Sequence, residues 1–264
     1  VIRTRKNVNT EIKELTTRDG INLNVEVKET GCPVWIIATH GIGEHQGRHK
    51  YLTDLFSHSF NICTYDLRGH GKSGGASGFV DNFSHFMEDL EELITFLREK
   101  YKMKKYILFG HSMGALITSA YVQKYAQDEF YPEKIIINAP PVGVPGLLGE
   151  VVKFSPLQLF SGLAKMPLSL KLGGLVDLDG LSHDVRVKER YINDELTHKK
   201  LHSKLIIEMV KCTKEVFSRP IRPKCSAVCS YGTEDSIVSA TAINSYFSMV
   251  EKSFKLRVFD EARH

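Results

Sequence analysis

"YILFGHSMGALITSAYV", residues 106–122, changes its periodicity in the middle. Tyr106 to His111 form a β-rich apolar run, while from Gly114 onward apolar side chains recur at helical spacing. At the junction stands Gly110-His111-Ser112-Met113-Gly114, a G-x-S-x-G directly after a predicted strand and directly before a predicted helix. A strand that turns sharply into a helix puts the central serine in a strained conformation and requires small neighbours. The new helix also offers unpaired N–H groups and the positive end of its dipole beside that serine. The pentapeptide alone is common; its setting makes Ser112 a candidate nucleophile.

Working outward, the same kind of apolar run recurs at 34–40, 61–66, 134–140, 226–232 and 254–260. Unbroken apolar character suits strands buried on both faces, as in a parallel sheet. Between the runs lie amphipathic stretches such as 82–101, where Phe83, Phe86, Leu90, Leu93, Ile94 and Leu97 share one helical face. The alternation predicts a doubly wound α/β fold with a mostly parallel central sheet. Ahead of it, "EIKELTTRDGINLNVEV" (11–27) places Asp-Gly between two alternating runs and predicts an antiparallel hairpin at the sheet edge. The pattern breaks from about 141 to 220, a Pro/Gly-punctuated apolar stretch followed by a charged helical one. Residues 1–140 and 221–264 are therefore expected to form the core, with 141–220 inserted as a lid.

A serine hydroxyl needs a base, and the base needs an acid to orient it. On such a scaffold the chain order is serine, acid, histidine, with the latter two after downstream strands. Asp235 follows the run 226–232, with Glu234 beside it, and His264 follows the run 254–260. No other histidine lies beyond 202, so His264 is nearly forced as the base. Asp260 is a weaker acid, too close in sequence to the base, and Asp66 breaks the order and is read as structural.

"HGIGEHQGRH" (40–49) invites a metal reading, with His40, Glu44, His45 and His49 in ten residues. Yet the spacing matches neither H-E-x-x-H nor H-x-x-E-H, and glycines disfavour the helix such pairs need. Directly after a strand, the segment suits a second role: glycines free its backbone to turn an N–H toward a developing oxyanion. Ile42 and Met113 are the expected donors, leaving His45 and His49 as surface or packing residues.

Hydrophobic residues at 42%, charged residues at 25% and a net charge of +4 fit a globular protein without a nucleic-acid arm. The five cysteines have no framework spacing. Cys225 and Cys229 fall about 13 Å apart on an extended strand, too far to bridge. Reduced thiols predict a cytoplasmic setting. No apolar leader precedes Thr10, and no run of 18 apolar residues suggests a membrane span.

Taken together, "HGIGEHQGRH", "YDLRGHGKSGG", "GHSMGA", "LSHDVRVKERYINDELTH", "YGTEDSIV" and "FDEARH" resemble, in that order, the monoacylglycerol lipase and lysophospholipase group of serine α/β-hydrolases. The resemblance implies an α/β-hydrolase fold, a Ser112, Asp235 and His264 triad, and an oxyanion hole at Ile42 and Met113. It implies a lipid ester with a single acyl chain as substrate and an acyl-enzyme mechanism without metal or organic cofactor. Two departures stand out: Ala115 where glycine is commoner, and a chain that stops at His264 where relatives continue into a helix that steadies the catalytic loop. The alternatives are a carboxylesterase or thioesterase with another acyl preference, and a non-catalytic hydrolase-fold protein. The apolar lid makes peripheral membrane contact or a homodimer the expected association.

Overall fold

Every apolar run forms a strand, and the computed structural model describes them within residues 9–166, 169–174 and 177–264. The N-terminal stretch in which no leader was read lies, through residue 8, outside the described residues. β1 (Asn9–Thr16) and β2 (Asn22–Glu29) are the predicted hairpin, closed by the Thr17 N–H donating to the Ile21 carbonyl at 2.8 Å. There follow β3 (Val34–Thr39), β4 (Asn61–Tyr65), β5 (Lys105–His111) and β6 (Lys134–Asn138). Two three-residue strands, β7 (Lys171–Gly173) and β8 (Lys200–His202), pair with each other. β9 (Ser226–Gly232) and β10 (Phe254–Phe259) complete the set. The main sheet runs β1-β2-β4-β3-β5-β6-β9-β10, with the last six strands of that order parallel and β2 opposed to them.

Burial differs along the sheet more than the unbroken apolar runs suggest. β3 and β4 are buried on both faces apart from Val34, whereas β5, β6 and β9 alternate buried with half-buried positions, and β10 is largely exposed. Expecting two covered faces throughout was therefore correct only at the centre.

The helices are α1 (Lys50–Phe56), α2 (Ser84–Lys100), α3 (Met113–Lys124), α4 (Gly146–Phe154), α5 (Leu157–Ala164), α6 (Val185–Asn193), α7 (Ser203–Val216) and α8 (Ala240–Ser245). The predicted stripe of α2 is buried from Phe83 to Leu97, each large side chain contributing about 2 kcal/mol. α3 is buried on every side from Met113 to Val122, as befits a helix at the centre of the protein.

α7 belongs with this core. It packs on α3 and adds Leu205, Cys212 and Val216 to the main apolar cluster. The stretch expected as one lid, 141–220, thus contains a core helix at its end, spaced by the same helical rule as α2. Among the described residues, no helix is long and apolar enough to cross a membrane.

The strand order places the site. The chain passes from β3 to β4 on one side, then returns to lay β5 on the other side of β3. Open α/β sheets bind ligands at such a reversal, in the crevice beyond the carboxyl ends of the two diverging strands. Here those ends carry His40-Gly41-Ile42 and Ser112.

Candidate active site

Ser112 is at once the last residue of a ladder and the first carbonyl of a helix. Its N–H donates to the Asn138 carbonyl at 2.9 Å, while its own carbonyl accepts from Ala115 and Leu116. Meeting both demands forces φ to 53° and ψ to −118°. Such a conformation costs a non-glycine residue about 1–3 kcal/mol and persists only where its surroundings hold it. Part of that hold comes from Gly114, where a β-carbon would stand 2.1 Å from the Thr39 carbonyl oxygen and 2.6 Å from that of His40. Only glycine lets α3 start so close to β3. Ala115 is fully buried in the core, so the departure from glycine there is absorbed by packing.

The structure brings Asp235 and His264 together. The His264 Nδ1–H donates to Asp235 Oδ2 at 2.7 Å, and both side chains are almost wholly shielded from solvent. The other oxygen of Asp235 accepts the Ile237 and Val238 N–H groups at 2.8 and 2.9 Å. With Nδ1 committed as donor, His264 Nε2 is left unprotonated, as a general base requires. The loop bearing His264 is anchored by the insertion. The Arg263 guanidinium reaches the Asp179 and Ser182 carbonyls, the His264 N–H reaches the Gly180 carbonyl at 3.3 Å, and His183 meets the Glu261 carbonyl at 2.7 Å. Residues 179–183 thus steady the strand end and loop that carry His264. Neither the Glu234 nor the Asp260 carboxyl meets His264; Glu234 pairs with His183 at 3.3 Å, and its N–H donates to the Ala262 carbonyl at 3.0 Å.

Ser112 shares one cavity with His264, Gly41, Ile42, Glu44, Arg48, His111, Leu181, Tyr191 and Ile237. No hydrogen bond joins Ser112 to His264, a looseness common in unliganded sites. Gly41 is pressed against the nucleophile: a β-carbon there would lie 3.1 Å from that of Ser112. The backbone N–H groups of Ile42 and Met113 have no protein acceptor among the described residues. Both are free to meet an oxyanion.

The remaining polar residues of the 40–49 segment are more than surface or packing groups. His49 and His45 are both buried. His49 donates from Nε2 to Glu44 Oε1 at 2.9 Å, and His45 pairs with Asp194 at 2.8 Å. Glu44 also accepts the Gly41 N–H at 2.6 Å. Burial opposes ionisation of Glu44, but His49 and neighbouring histidines hold its carboxyl well below the usual carboxylate range. His40 accepts the Leu67 N–H on Nε2 at 2.9 Å, so its Nδ1–H must donate to the Gly41 carbonyl. Burial drives His40 down to about 4 and His70, beside it, to about 3.

His111 lies tilted over His264 with ring centroids 4.9 Å apart, its Nδ1–H bonded to Asn138 Oδ1 at 2.7 Å. Burial, and then the charge that His264 would carry, lower it to about 4.

A second loop, after β4, supports the first. Asp66 accepts the N–H groups of Gln46 and Lys72 at 2.8 and 2.9 Å, as its structural reading requires. Arg68 is clamped by Asp89 of α2, fully buried, and by Asp19 of the hairpin turn at 2.7 Å. These partners lie far apart in sequence, and no local spacing announces them.

A strained serine, a histidine–carboxylate pair and two free N–H groups at the switch point of a parallel sheet define an α/β-hydrolase. The model of the serine aminopeptidase S33 family matches residues 34–264, and the chain belongs to that family of serine hydrolases. It is 24% identical over 222 residues to an uncharacterised abhydrolase domain-containing protein of Dictyostelium discoideum, covering 82% of this chain and 23% of that one. It is 29% identical over 175 residues to a monoacylglycerol lipase of Mycolicibacterium smegmatis, covering 64% of this chain and 57% of the relative. The chain thus matches well under two thirds of the length of either relative. The crystal structure of Paleococcus ferrophilus monoacylglycerol lipase shares the fold with a TM-score of 0.74 at 24% identity, over 97% of this chain and 90% of its own.

Proposed function

We propose that this serine hydrolase cleaves the ester of single-acyl-chain lipids, monoacylglycerols in the first place, through an acyl-enzyme on Ser112. His264 removes the serine proton as the hydroxyl attacks the ester carbonyl, and the Ile42 and Met113 N–H groups receive the oxyanion. The bond to the alcohol then breaks, His264 returns the proton to the leaving oxygen, and water hydrolyses the acyl-serine by the same route. Asp235 keeps the imidazole in the required tautomer and stabilises its cation. The observation that carries this reading is the shielded 2.7 Å bond between His264 and Asp235 in the cavity wall that also holds Ser112.

The choice of alcohol rests on Glu44 and Arg48. They line the cavity 3.5 Å apart as a matched pair of charges. Because the pair carries no net charge, it offers an uncharged polyol polar partners without favouring an anionic head group. Similarity to a monoacylglycerol lipase supports the same choice. The outward apolar side chains of Val151, Phe154, Leu159 and Leu170 support contact of the insertion with a lipid surface.

One observation favours a second reading, an esterase for short acyl groups. The cavity at Ser112 holds about 40 Å³, against the roughly 300–1,000 Å³ usual for small-ligand sites. The long-chain reading requires the cavity wall at Leu181 to open. Fatty-acid release from matched monoacylglycerol and lysophosphatidylcholine, beside cleavage of a short activated ester, separates the cases. Release from monoacylglycerol is expected, with Ser112→Ala inactive and Asp235→Asn reduced about 10⁴-fold in kcat. Cleavage of the short ester alone would overturn the lipid assignment, and turnover by Ser112→Ala would overturn the mechanism.

A further inference from the structure

Ile42 stands between Gly41 and Gly43. A donor flanked by two glycines is not positioned by its own backbone, since glycine leaves φ and ψ freer than any other residue. Gly43 sits at φ 72°, in the region glycine alone enters readily. Something outside the loop must therefore fix it.

On the Gly41 side the anchor is Glu44, as described. On the Gly43 side it comes from the insertion. The Gly43 carbonyl accepts two hydrogen bonds, from the Tyr191 hydroxyl at 2.8 Å and from the His198 N–H at 2.8 Å. The same segment grips this loop at two more points and the loop after β4 at a third. Asp194 pairs with His45, the Arg48 guanidinium lies 5.0 Å over the Tyr191 ring, and His198 Nε2 meets the Gly69 carbonyl at 2.7 Å. Thr197 closes the segment on itself, its hydroxyl donating to the Tyr191 carbonyl at 2.6 Å. Tyr191 is buried, so loss of its hydroxyl would leave the Gly43 carbonyl one shielded partner short.

We propose that Tyr191 is a positioning residue for the reaction: by holding the Gly43 carbonyl it sets the direction of the Ile42 N–H, so that docking of 191–198 completes the oxyanion hole. The inference rests on the serine esterase reading above, with Ile42 as an oxyanion donor. It gives the insertion a second task besides covering the cavity. Substrate entry that shifts α6 loosens the oxyanion loop, and closure over the bound ester restores it.

Tyr191→Phe tests this while keeping the ring beneath Arg48. Steady-state kinetics on a short p-nitrophenyl ester are read together with the inhibition constant of an alkyl boronic acid, which mimics the tetrahedral state. The expected result is a kcat lowered roughly tenfold, less than the roughly hundredfold or greater loss of an oxyanion donor itself. KM should stay unchanged, and the boronic acid should bind more weakly by a similar factor. Unchanged kcat and inhibition constant would overturn the proposal. So would a fall in kcat with boronic acid affinity intact, which marks a loss of folded enzyme, or a rise in KM alone, which marks a substrate contact. Turnover by Ser112→Ala would sink this inference together with the reading beneath it. Should Tyr191→Phe fail to fold, the same two readouts decide on Asp194→Asn, where release of His45 should cost roughly threefold in both.

Discussion

The loops after β3 and β4 and the stretch from α4 to β7 are built on opposite rules. In the first pair nearly every polar group is spoken for: Asp66, Glu44, Arg68 and His40 each tie backbone or side chains brought from distant parts of the chain. In the second, Val151, Phe154, Leu159 and Leu170 face outward, and the polar ties among the described residues are fewer: Lys204 to the Ala164 carbonyl, Lys214 to that of Val152, and the pairing of Leu170 with Ser203 beside the short β7–β8 ladder. The contrast teaches where this protein invests in order. The backbone around Ser112 and Gly41 is fixed by many short polar contacts, and the outward face of the insertion is not.

Breaking the ordered side should cost most. Asp89→Ala leaves the buried guanidinium of Arg68 with the half-exposed Asp19 as its one carboxylate, and removal of one partner from a buried pair typically costs about 3–5 kcal/mol. Urea denaturation should register that loss, while a shift below about 1 kcal/mol would mean the loop after β4 is held by other means.

A smaller effect should follow from acid. His40, His70 and His111 are all held below their ordinary value of 6.5 by burial, to about 4, 3 and 4. The unfolded chain takes up protons at these sites that the folded protein refuses. Their neutral packing therefore stabilises fully above pH 6.5, and that stability is lost as pH falls toward 4. The urea midpoint should drop between pH 7.5 and 5, and His111→Gln should flatten the slope by about one proton. A midpoint constant across that range would contradict the burial of these rings.

The loosely tied side should give the smallest change. Phe154→Asp is expected to alter stability by no more than about 0.5 kcal/mol. It should nevertheless reduce retention on phosphatidylcholine vesicles, measured by flotation. Full retention would show that this surface does not meet lipid.

Much of this was legible in advance because it depends on local pattern. The strands announced themselves as apolar runs, Ser112 by the change of period around it, and His264 by being the sole late histidine. Asp235 and Ile42 followed from chain order and from the glycines after β3. What escaped the reading depends on distant partners. His45 and His49 looked like surface or packing residues because Asp194 lies some 150 positions away, and because Glu44 gave no sign of bonding to Gly41. The insertion was drawn too long, although Leu205, Cys212 and Val216 already formed a helical stripe that could have assigned α7 to the core.

Gly114 has one more consequence. Its missing side chain seats the start of α3 against the carbonyls of Thr39 and His40, the two residues that lead into the oxyanion loop. Ser112 and the loop after β3 are thereby registered in part by steric exclusion, a contact with no proton and no ion in it. Dissolved salt cannot screen it and acid cannot titrate it. When the surrounding histidines begin to charge, the spacing between Ser112 and the Ile42 loop is the last part of the arrangement to feel it.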